Sequence, residues 1–138
     1  MSNNSIFTEK LRSLGLRPTQ QRIAICKLLF DRKDTFHFTI DDLKNNLKNI
    51  SVKKISLATI YNTIHALKNK GYLKEISINS EKTYFDTNIS NHHHFFDESK
   101  RELIDLNDKD VGKIKIKKAV PGKKITSIEV LVKIANNN

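Results

Sequence analysis

Three adjacent histidines, His92, His93 and His94, begin the run HHHFFDE and are the first residues whose spacing suggests chemistry. An extended strand places alternate residues on one face, so His92 and His94 project together, about 6.6 Å apart by Cα, and His93 projects to the other side. Two imidazoles on one face can bind one cation at bond lengths of about 2.1 Å if other segments supply the remaining ligands. The spacing predicts part of a metal site.

Two other residues are candidates for the remaining ligands. His37 lies in TFHFTIDDL, just ahead of a predicted helix, and Asp86 ends the predicted strand TYFDT. Mixed nitrogen and oxygen ligands suit Fe(II), Mn(II) or Zn(II), and the donor types alone do not select one of these metals.

Cysteine usage and hydropathy exclude several classes of protein. Cys26 is the only cysteine, so the sequence holds no disulfide and no CxxC zinc motif. It lies in RIAICKLLF, where helical spacing predicts a buried thiol. The longest apolar runs are far shorter than the ~20 residues that cross a bilayer, and MSNNSIFTEK has no apolar signal core. We therefore expect a cytoplasmic protein that does not bind membranes.

The charge distribution points to a polyanionic partner. The chain has a net charge of +10; residues 1–86 carry 15 Lys and Arg against 8 Asp and Glu, and residues 87–138 carry 10 against 7. An excess of positive charge in the first part suits nucleic acid better than a membrane.

Periodicity predicts an α+β fold with two domains. Helical patterns dominate residues 4–71, with Gly15 as a left-handed cap, Pro18 opening the second helix and Thr39 capping the third. After Gly71 the period changes to alternation in YLKEISI and TYFDT, which predicts a β-hairpin. Helices followed by a hairpin indicate a winged helix over residues 1–86. Residues 87–91 are polar and predict a hinge.

The last 47 residues, 92–138, are expected to form a small α/β domain for dimerisation and metal sensing. HHHFFD and ELIDL predict two strands, and SIEVLVKI (127–134) predicts a third. The stretch between the second and third strands predicts either a short helix or an irregular crossover.

The fourth helix, SLATIYNTIHALKNKG (56–71), has the character of a DNA-reading element. Its apolar stripe, which we expect to face the core, consists of Leu57, Ile60, Ile64 and Leu67. The other side carries small and hydrogen-bonding residues, including Thr59 and Asn62, with Tyr61 at its border. Asn can pair with adenine, Thr or Tyr can touch a thymine methyl group, and Ser56 at the helix start can contact a phosphate. An ordinary solvated helix face is the simpler interpretation of the same pattern.

The segments GLRPTQQRIAICKLLF, SLATIYNTIHALKNKGYLKEI and TYFDTNISNHHHFF, in this order, resemble the Fur family of metal-responsive repressors. The sequence is most similar to the Irr branch of iron- and haem-responsive regulators. The resemblance implies a homodimer, or a higher even oligomer, on AT-rich palindromes of double-stranded DNA. It also implies that Tyr61 contacts thymines, that Arg17 enters the minor groove and that Arg22 contacts a phosphate. Asn62 stands where many members have arginine. The predicted DNA-binding residues are thus Arg17, Arg22, Ser56, Thr59, Tyr61 and Asn62.

The same resemblance implies a regulatory metal site formed by His37, Asp86, His92 and His94, in which a slip of register would bring in His93. Haem is the alternative ligand of the histidine run, although the Cys-Pro haem motif of some relatives is missing, because Lys27 follows Cys26. Without a cysteine pair we expect no structural zinc site of the four-cysteine type.

Two other functions are alternatives to a metal-responsive repressor. A metalloenzyme could use three histidines and a carboxylate, but the sequence shows no separate acid–base pair. A winged-helix DNA-binding or interaction module, with purely structural histidines and no metal sensing, is the main alternative. Metal-dependent binding to an AT-rich palindrome would separate the regulator from both.

Overall fold

Helices and a small antiparallel sheet form the first part of the chain. The computed structural model describes residues 3–50 and 54–137, and the chain divides into two compact units, Met1–Ile89 and Ser90–Asn138. In the first unit the helices are α1 (Asn3–Ser13), α2 (Gln20–Phe30), α3 (Ile40–Ile50) and α4 (Leu57–Asn69). The strands are β1 (His37–Phe38), β2 (Lys74–Ser77) and β3 (Thr83–Asp86), in the antiparallel order β1-β3-β2. The β2–β3 hairpin is the wing that the change of period predicts.

The ends of α1 and α3 are set by short-range hydrogen bonds at the capping residues that the sequence predicts. Gly15 adopts φ +76, and the bond from the Leu16 N–H to the Leu11 carbonyl (3.0 Å) closes the end of α1. At α3, the Thr39 N–H donates to Asp42 Oδ2 (3.0 Å) and the Asp42 N–H donates to Thr39 Oγ1 (3.1 Å). This reciprocal pair is the predicted capping box, with aspartate in place of glutamate.

The predicted start of the second helix at Pro18 is wrong. Helix α2 begins at Gln20, and Thr19 is its N-cap, with its hydroxyl accepting a hydrogen bond from the Arg22 N–H (3.3 Å). The side chain of Thr19 can satisfy a free N–H of the first turn, which proline cannot do. Proline therefore lies just before the helix and not inside it.

The first unit has a continuous apolar core. Side chains from α2, α3 and α4 pack with the aromatic rings of the sheet, and Phe38 and Phe85 stack with ring centroids 5.6 Å apart. The buried members of this core are Ile25, Leu29, Phe38, Leu43, Leu47, Ile55, Ile60, Ile64, Leu67, Leu73 and Phe85. Phe38 and Phe85 are sequence neighbours of His37 and Asp86, so the core fixes the backbone that carries both candidate ligands.

The second unit is a three-stranded mixed sheet. Its strands are β4 (His93–Asp97), β5 (Glu102–Leu106) and β6 (Leu131–Ile134), in the order β5-β4-β6. β4 pairs antiparallel with β5 and parallel with β6, which requires a long crossover between β5 and β6. The crossover has a short 3-10 helix, Asp108–Asp110, and is otherwise irregular, one of the two predicted forms. The predicted strand 127–134 is realised only over β6.

The mixture of helices and sheets confirms the predicted α+β class. Across residues 3–50 and 54–137, no helix combines the length and the apolar character that a membrane span requires.

Candidate metal centre and nucleic-acid surface

The first unit brings His37 and Asp86 together across its sheet. β1 and β3 pair in a register that sets these two residues opposite each other, and His37 Nε2 lies 3.0 Å from Asp86 Oδ2. The Asp86 side chain is fully buried, and its Oδ1 accepts a hydrogen bond from the Asn88 N–H (2.8 Å). That bond orients the carboxylate and leaves Oδ2 directed at the imidazole. The pair offers one nitrogen and one oxygen ligand.

The second unit brings His92 and His94 together on one face, as strand alternation predicts. Their ring centroids are 4.4 Å apart, and both side chains are almost completely buried. Asp105, opposite His94 on β5, joins them: its Oδ1 lies 3.1 Å from His92 Nε2 and 3.4 Å from His94 Nε2. Two nitrogens and one carboxylate oxygen thus converge within this unit.

The orientation of His92 is compatible with metal binding. Its Nδ1 lies 2.7 Å from the Ser90 carbonyl oxygen, and because a carbonyl only accepts, Nδ1 carries the proton and donates. In the neutral ring Nε2 then has a lone pair directed at the lone pairs of Asp105 Oδ1. A cation between the two atoms would make this contact favourable. A histidine that ligates a metal commonly donates its other N–H to a backbone carbonyl in this way.

The donor spacing in both units fits a small divalent cation. Two donors bound at about 2.1 Å to a tetrahedral ion lie about 3.4 Å apart, and slightly closer in octahedral geometry. The separations are 3.0 Å for His37–Asp86, and 3.1 and 3.4 Å for the contacts of Asp105. Neither unit holds a full set of four donors in these groups, since the first offers two and the second three. Each group is therefore an incomplete ligand set.

His93 has a different environment from its two neighbours. Its Nδ1 accepts a hydrogen bond from the Val130 N–H (2.9 Å), so Nε2 carries the proton and donates to Asp108 Oδ1 (2.9 Å). Both ring nitrogens are engaged in the second unit, where they tie β4 to the crossover. This arrangement favours a structural role for His93 over its predicted role as a substitute ligand.

The exposed face of α4 differs in part from the predicted one. Leu57, predicted to face the core, is 43% exposed, whereas Thr63 is fully buried and its hydroxyl donates to the Thr59 carbonyl (2.7 Å). On the helical projection Leu57 and Thr63 flank the arc formed by Ile60, Ile64 and Leu67 on opposite sides, so burying Thr63 and exposing Leu57 turns the buried face toward Thr63. The helix is therefore rotated from the predicted orientation, and this rotation decides which side chains a DNA groove would meet.

Tyr61 and Asn62 lie on this exposed face, as predicted. The Tyr61 ring stacks on His65, four residues later, with centroids 5.9 Å apart and planes 16° apart. His65 lies between Tyr61 and Asn62 on the helical projection, at the centre of the exposed arc. Helical projection alone could have found it, although it is absent from the residues predicted to contact DNA.

The other predicted DNA contacts are divided between exposed and half-buried positions. Ser56 is exposed and caps α4: its Oγ accepts from the Thr59 N–H (3.2 Å) and lies 2.9 Å from the Thr59 hydroxyl. Thr59 is half-buried. Arg17 is exposed, while Arg22 is half-buried and donates from Nη1 to the Arg17 carbonyl (3.0 Å). The Nε of Arg22 is buried and has no hydrogen-bond partner among the residues described.

Asp105 is a ligand candidate that the sequence pattern did not reveal. Its residue type and its place on a predicted strand were visible, but only the β4–β5 register places it opposite His94. A carboxylate on a neighbouring strand has no fixed separation in sequence from the residue it faces.

The profile of the ferric uptake regulator family matches residues 13–133 of the chain. The peroxide-responsive repressor PerR of Staphylococcus aureus strain Mu50 is 34% identical over 96 residues, which cover 70% of this chain and 63% of that repressor. The chain therefore spans less than two thirds of the length of this curated relative.

Two solved structures share the fold. The ferric uptake regulator of Pseudomonas aeruginosa with manganese superposes with a TM-score of 0.67 at 16% identity, covering 96% of this chain and 99% of that one. The ferric uptake regulator of Francisella tularensis with iron gives a TM-score of 0.67 at 17% identity, covering 88% and 92%.

Proposed function

The chain belongs to the ferric uptake regulator family, and from this premise we propose that it is a metal-responsive transcriptional regulator, not an enzyme. In this proposal it binds double-stranded DNA at AT-rich palindromes as a dimer and acts as a repressor. Its place of action is the cytoplasm. The relative from Staphylococcus aureus is named as a peroxide-responsive repressor, which agrees with a regulatory role. Membership of the Irr branch, and haem as the signal, stay predictions.

One observation carries this proposal: each unit offers an incomplete set of metal ligands. The residues that we propose as ligands are His37 and Asp86 in the first unit, and His92, His94 and Asp105 in the second. A divalent cation such as Fe(II), Mn(II) or Zn(II) would supply the positive charge that donors of these types share. The manganese and iron named for the two solved relatives are consistent with this choice.

The protein's own residues connect the first ligand set to the recognition helix. His37 and Asp86 are paired across β1 and β3, and the next residues inward, Phe38 and Phe85, pack in the same core as Ile60 of α4. A change in the geometry of the His37–Asp86 pair therefore acts on the support of α4. Because interiors are close-packed, such a shift is transmitted and not absorbed.

The proposed DNA-reading surface is the exposed face of α4. Tyr61, Asn62 and His65 present an aromatic ring, an amide and an imidazole, which can contact base edges in a major groove. Ser56 and Arg17 are exposed for contacts to the backbone of the duplex, and Thr59 and Arg22 support the two segments from which these residues project. Phosphate contacts of this kind fix the register of the protein on the DNA.

The proposed dimer uses the sheet of the second unit. Phe95 on β4 is flanked by Ile104 on β5 and Val132 on β6, and this apolar row crosses the face opposite to His94. Ile104 is 41% exposed and Val132 is 36% exposed. A second copy of this chain is the partner we infer, since two identical apolar rows can cover each other about a two-fold axis and two-fold symmetry matches a palindromic site. A higher even oligomer could be assembled from such dimers.

The proposed domain limits follow the chain's own division. The boundary between Ile89 and Ser90 falls inside the predicted hinge 87–91, which supports a winged-helix domain over residues 1–86 and a sensing and dimerisation domain over 92–138.

The test is DNA binding with and without metal. Fluorescence anisotropy would compare an AT-rich palindrome with random duplex, using metal-free protein and protein loaded with Mn(II), Zn(II) or, without oxygen, Fe(II). We expect metal to change operator affinity at least about tenfold, or about 1.4 kcal/mol of coupling. His94→Ala should remove this response and leave the circular dichroism spectrum unchanged. Unchanged metal affinity of His94→Ala in calorimetry would contradict the site, and a lack of operator preference would contradict the function.

A further inference from the structure

The second unit separates its charges along the chain. Residues 90–110 carry three Lys and Arg against six Asp and Glu, whereas residues 111–138 carry seven against one. The stretch KIKIKKAVPGKK, residues 113–124, has six lysines and no acidic residue. These lysines are Lys113, Lys115, Lys117, Lys118, Lys123 and Lys124. Such a stretch repels itself and attracts anions.

Four of these lysines lie immediately before or at the end of a tight turn. The Lys123 N–H donates to the Val120 carbonyl (3.1 Å), and Gly122 adopts φ +75. Proline followed by glycine at the two central positions is the signature of a type II turn, in which only a residue tolerant of positive φ fits the second position. Lys117 and Lys118 lie just before the turn, and the other two lie at its end. We call residues 117–124 the lysine turn.

The ammonium groups of the lysine turn are free to meet a partner. All residues from 117 to 124 are exposed. None of the four lysines makes an ion pair within the parts of the chain that the structure describes. The acidic residues of this unit are therefore not their counter-ions, and their charge is left to solvent or to an external anion.

We propose that the lysine turn is a second DNA-binding surface, which contacts backbone phosphates and adds sequence-independent affinity to recognition by α4. The turn offers ammonium groups and no aromatic, amide or guanidinium group, and an ammonium is a compact point charge well suited to a backbone phosphate. The proposed function assigns DNA contacts to the first unit alone, and the lysine turn adds contacts from the second unit. This inference rests on the proposed function, because that function identifies the polyanion as DNA.

The salt dependence of DNA binding tests this surface. Two double variants, Lys117→Gln/Lys118→Gln and Lys123→Gln/Lys124→Gln, each remove two charges from the lysine turn. The matched control, Lys100→Gln/Lys109→Gln, removes two exposed charges elsewhere in the same unit. Anisotropy titrations between about 50 and 200 mM salt would give the slope of log K against log salt concentration for the operator and for random duplex.

Each lysine that contacts a phosphate should contribute about 0.9 to the slope. We expect each double variant of the lysine turn to reduce the magnitude of the negative slope by up to about 2, equally on both duplexes. The control variant should leave the slope unchanged. Replacing the same lysines by arginine should retain the slope. Tyr61→Ala should give the opposite pattern, with discrimination between the duplexes reduced and the slope retained.

Three results would overturn the proposal. Slopes that match the control would show that the turn touches no phosphate. If the lysine-turn variants keep the wild-type slope but no longer bind vesicles of anionic lipid, the turn contacts a membrane and not DNA. A slope at the wild-type value together with a changed oligomeric state in sedimentation would assign it to the partner copy. Failure of the proposed function is distinguishable, because it appears as a missing operator preference in the wild-type protein.

Discussion

The two units of the chain bury very different amounts of apolar surface. Met1–Ile89 has a continuous core drawn from three helices and two strands. In Ser90–Asn138 the described residues include two buried apolar side chains, Phe96 and Leu103, and a larger set that is exposed. The exposed set is Ile104, Ile114, Ile116, Val120, Ile125, Ile128 and Val132. A unit of this size with so little buried apolar surface is expected to depend on a partner, whereas the first unit is stabilised by its own side chains.

The largest expected effect lies in the core of the first unit. Leu67→Ala removes a side chain that is fully buried, and should lower the free energy of unfolding by about 2–5 kcal/mol. Urea titration followed by circular dichroism measures this loss. Leu57→Ala, on the same helix but 43% exposed, is the matched control and should change stability by no more than about 0.5 kcal/mol. Equal losses in the two variants would contradict the observed rotation of α4.

The second prediction concerns the exposed sheet of the second unit. Ile104→Asp places a charge in the apolar row beside Phe95, and should weaken self-association at least about tenfold, because a buried unpaired charge is costly. Sedimentation over a range of concentrations measures the dissociation constant. Ile50→Asp, at an exposed position of the first unit, should leave association unchanged. A dimer that survives Ile104→Asp would show that the partner copy covers another surface.

The third prediction separates the two histidine environments of the second unit. Asp105→Asn should lower the affinity for divalent metal about tenfold or more, because Asp105 contacts both His92 and His94. Asp108→Asn affects only the partner of His93 and should leave metal affinity unchanged. Calorimetry on both variants gives the comparison. Equal loss of affinity would mean that His93, and not only its neighbours, belongs to the site.

The last prediction concerns the reactivity of the lone cysteine. Burial raises the pKa of Cys26 from 9.0 to about 11, and the nearby Lys10 offsets only part of this rise. The thiolate is the reactive form, so at pH 7 its population should be about 100-fold below that of an ordinary thiol. Labelling with a disulfide reagent should be slow in the native protein and fast in urea. Rapid labelling of the native protein would contradict the burial of α2.

Local features of the fold could be predicted from the sequence because they depend on residues close together in the chain. Gly15 ends α1, Thr39 and Asp42 form the capping box of α3, and Ser56 caps α4. The hinge over residues 87–91 stays a prediction from composition, since a polar stretch between two periodic regions has little to bury. The predicted start of α2 is wrong because Pro18 and Thr19 are both suited to a helix start. Thr19 takes the N-cap position because its hydroxyl can accept a hydrogen bond from the Arg22 N–H, which a proline side chain cannot do.

What the sequence determined by itself are the types of the candidate ligands and the strand faces that they occupy. Alternation along a strand is a local property of the backbone, so it places His92 and His94 together and His93 apart before any packing is known. Tertiary structure alone decided that Asp105 faces His94, that His93 donates to Asp108, and that α4 turns Thr63 inward and Leu57 outward. These outcomes depend on strand register and on the fit of side chains in a close-packed core, and both are set by residues distant in sequence.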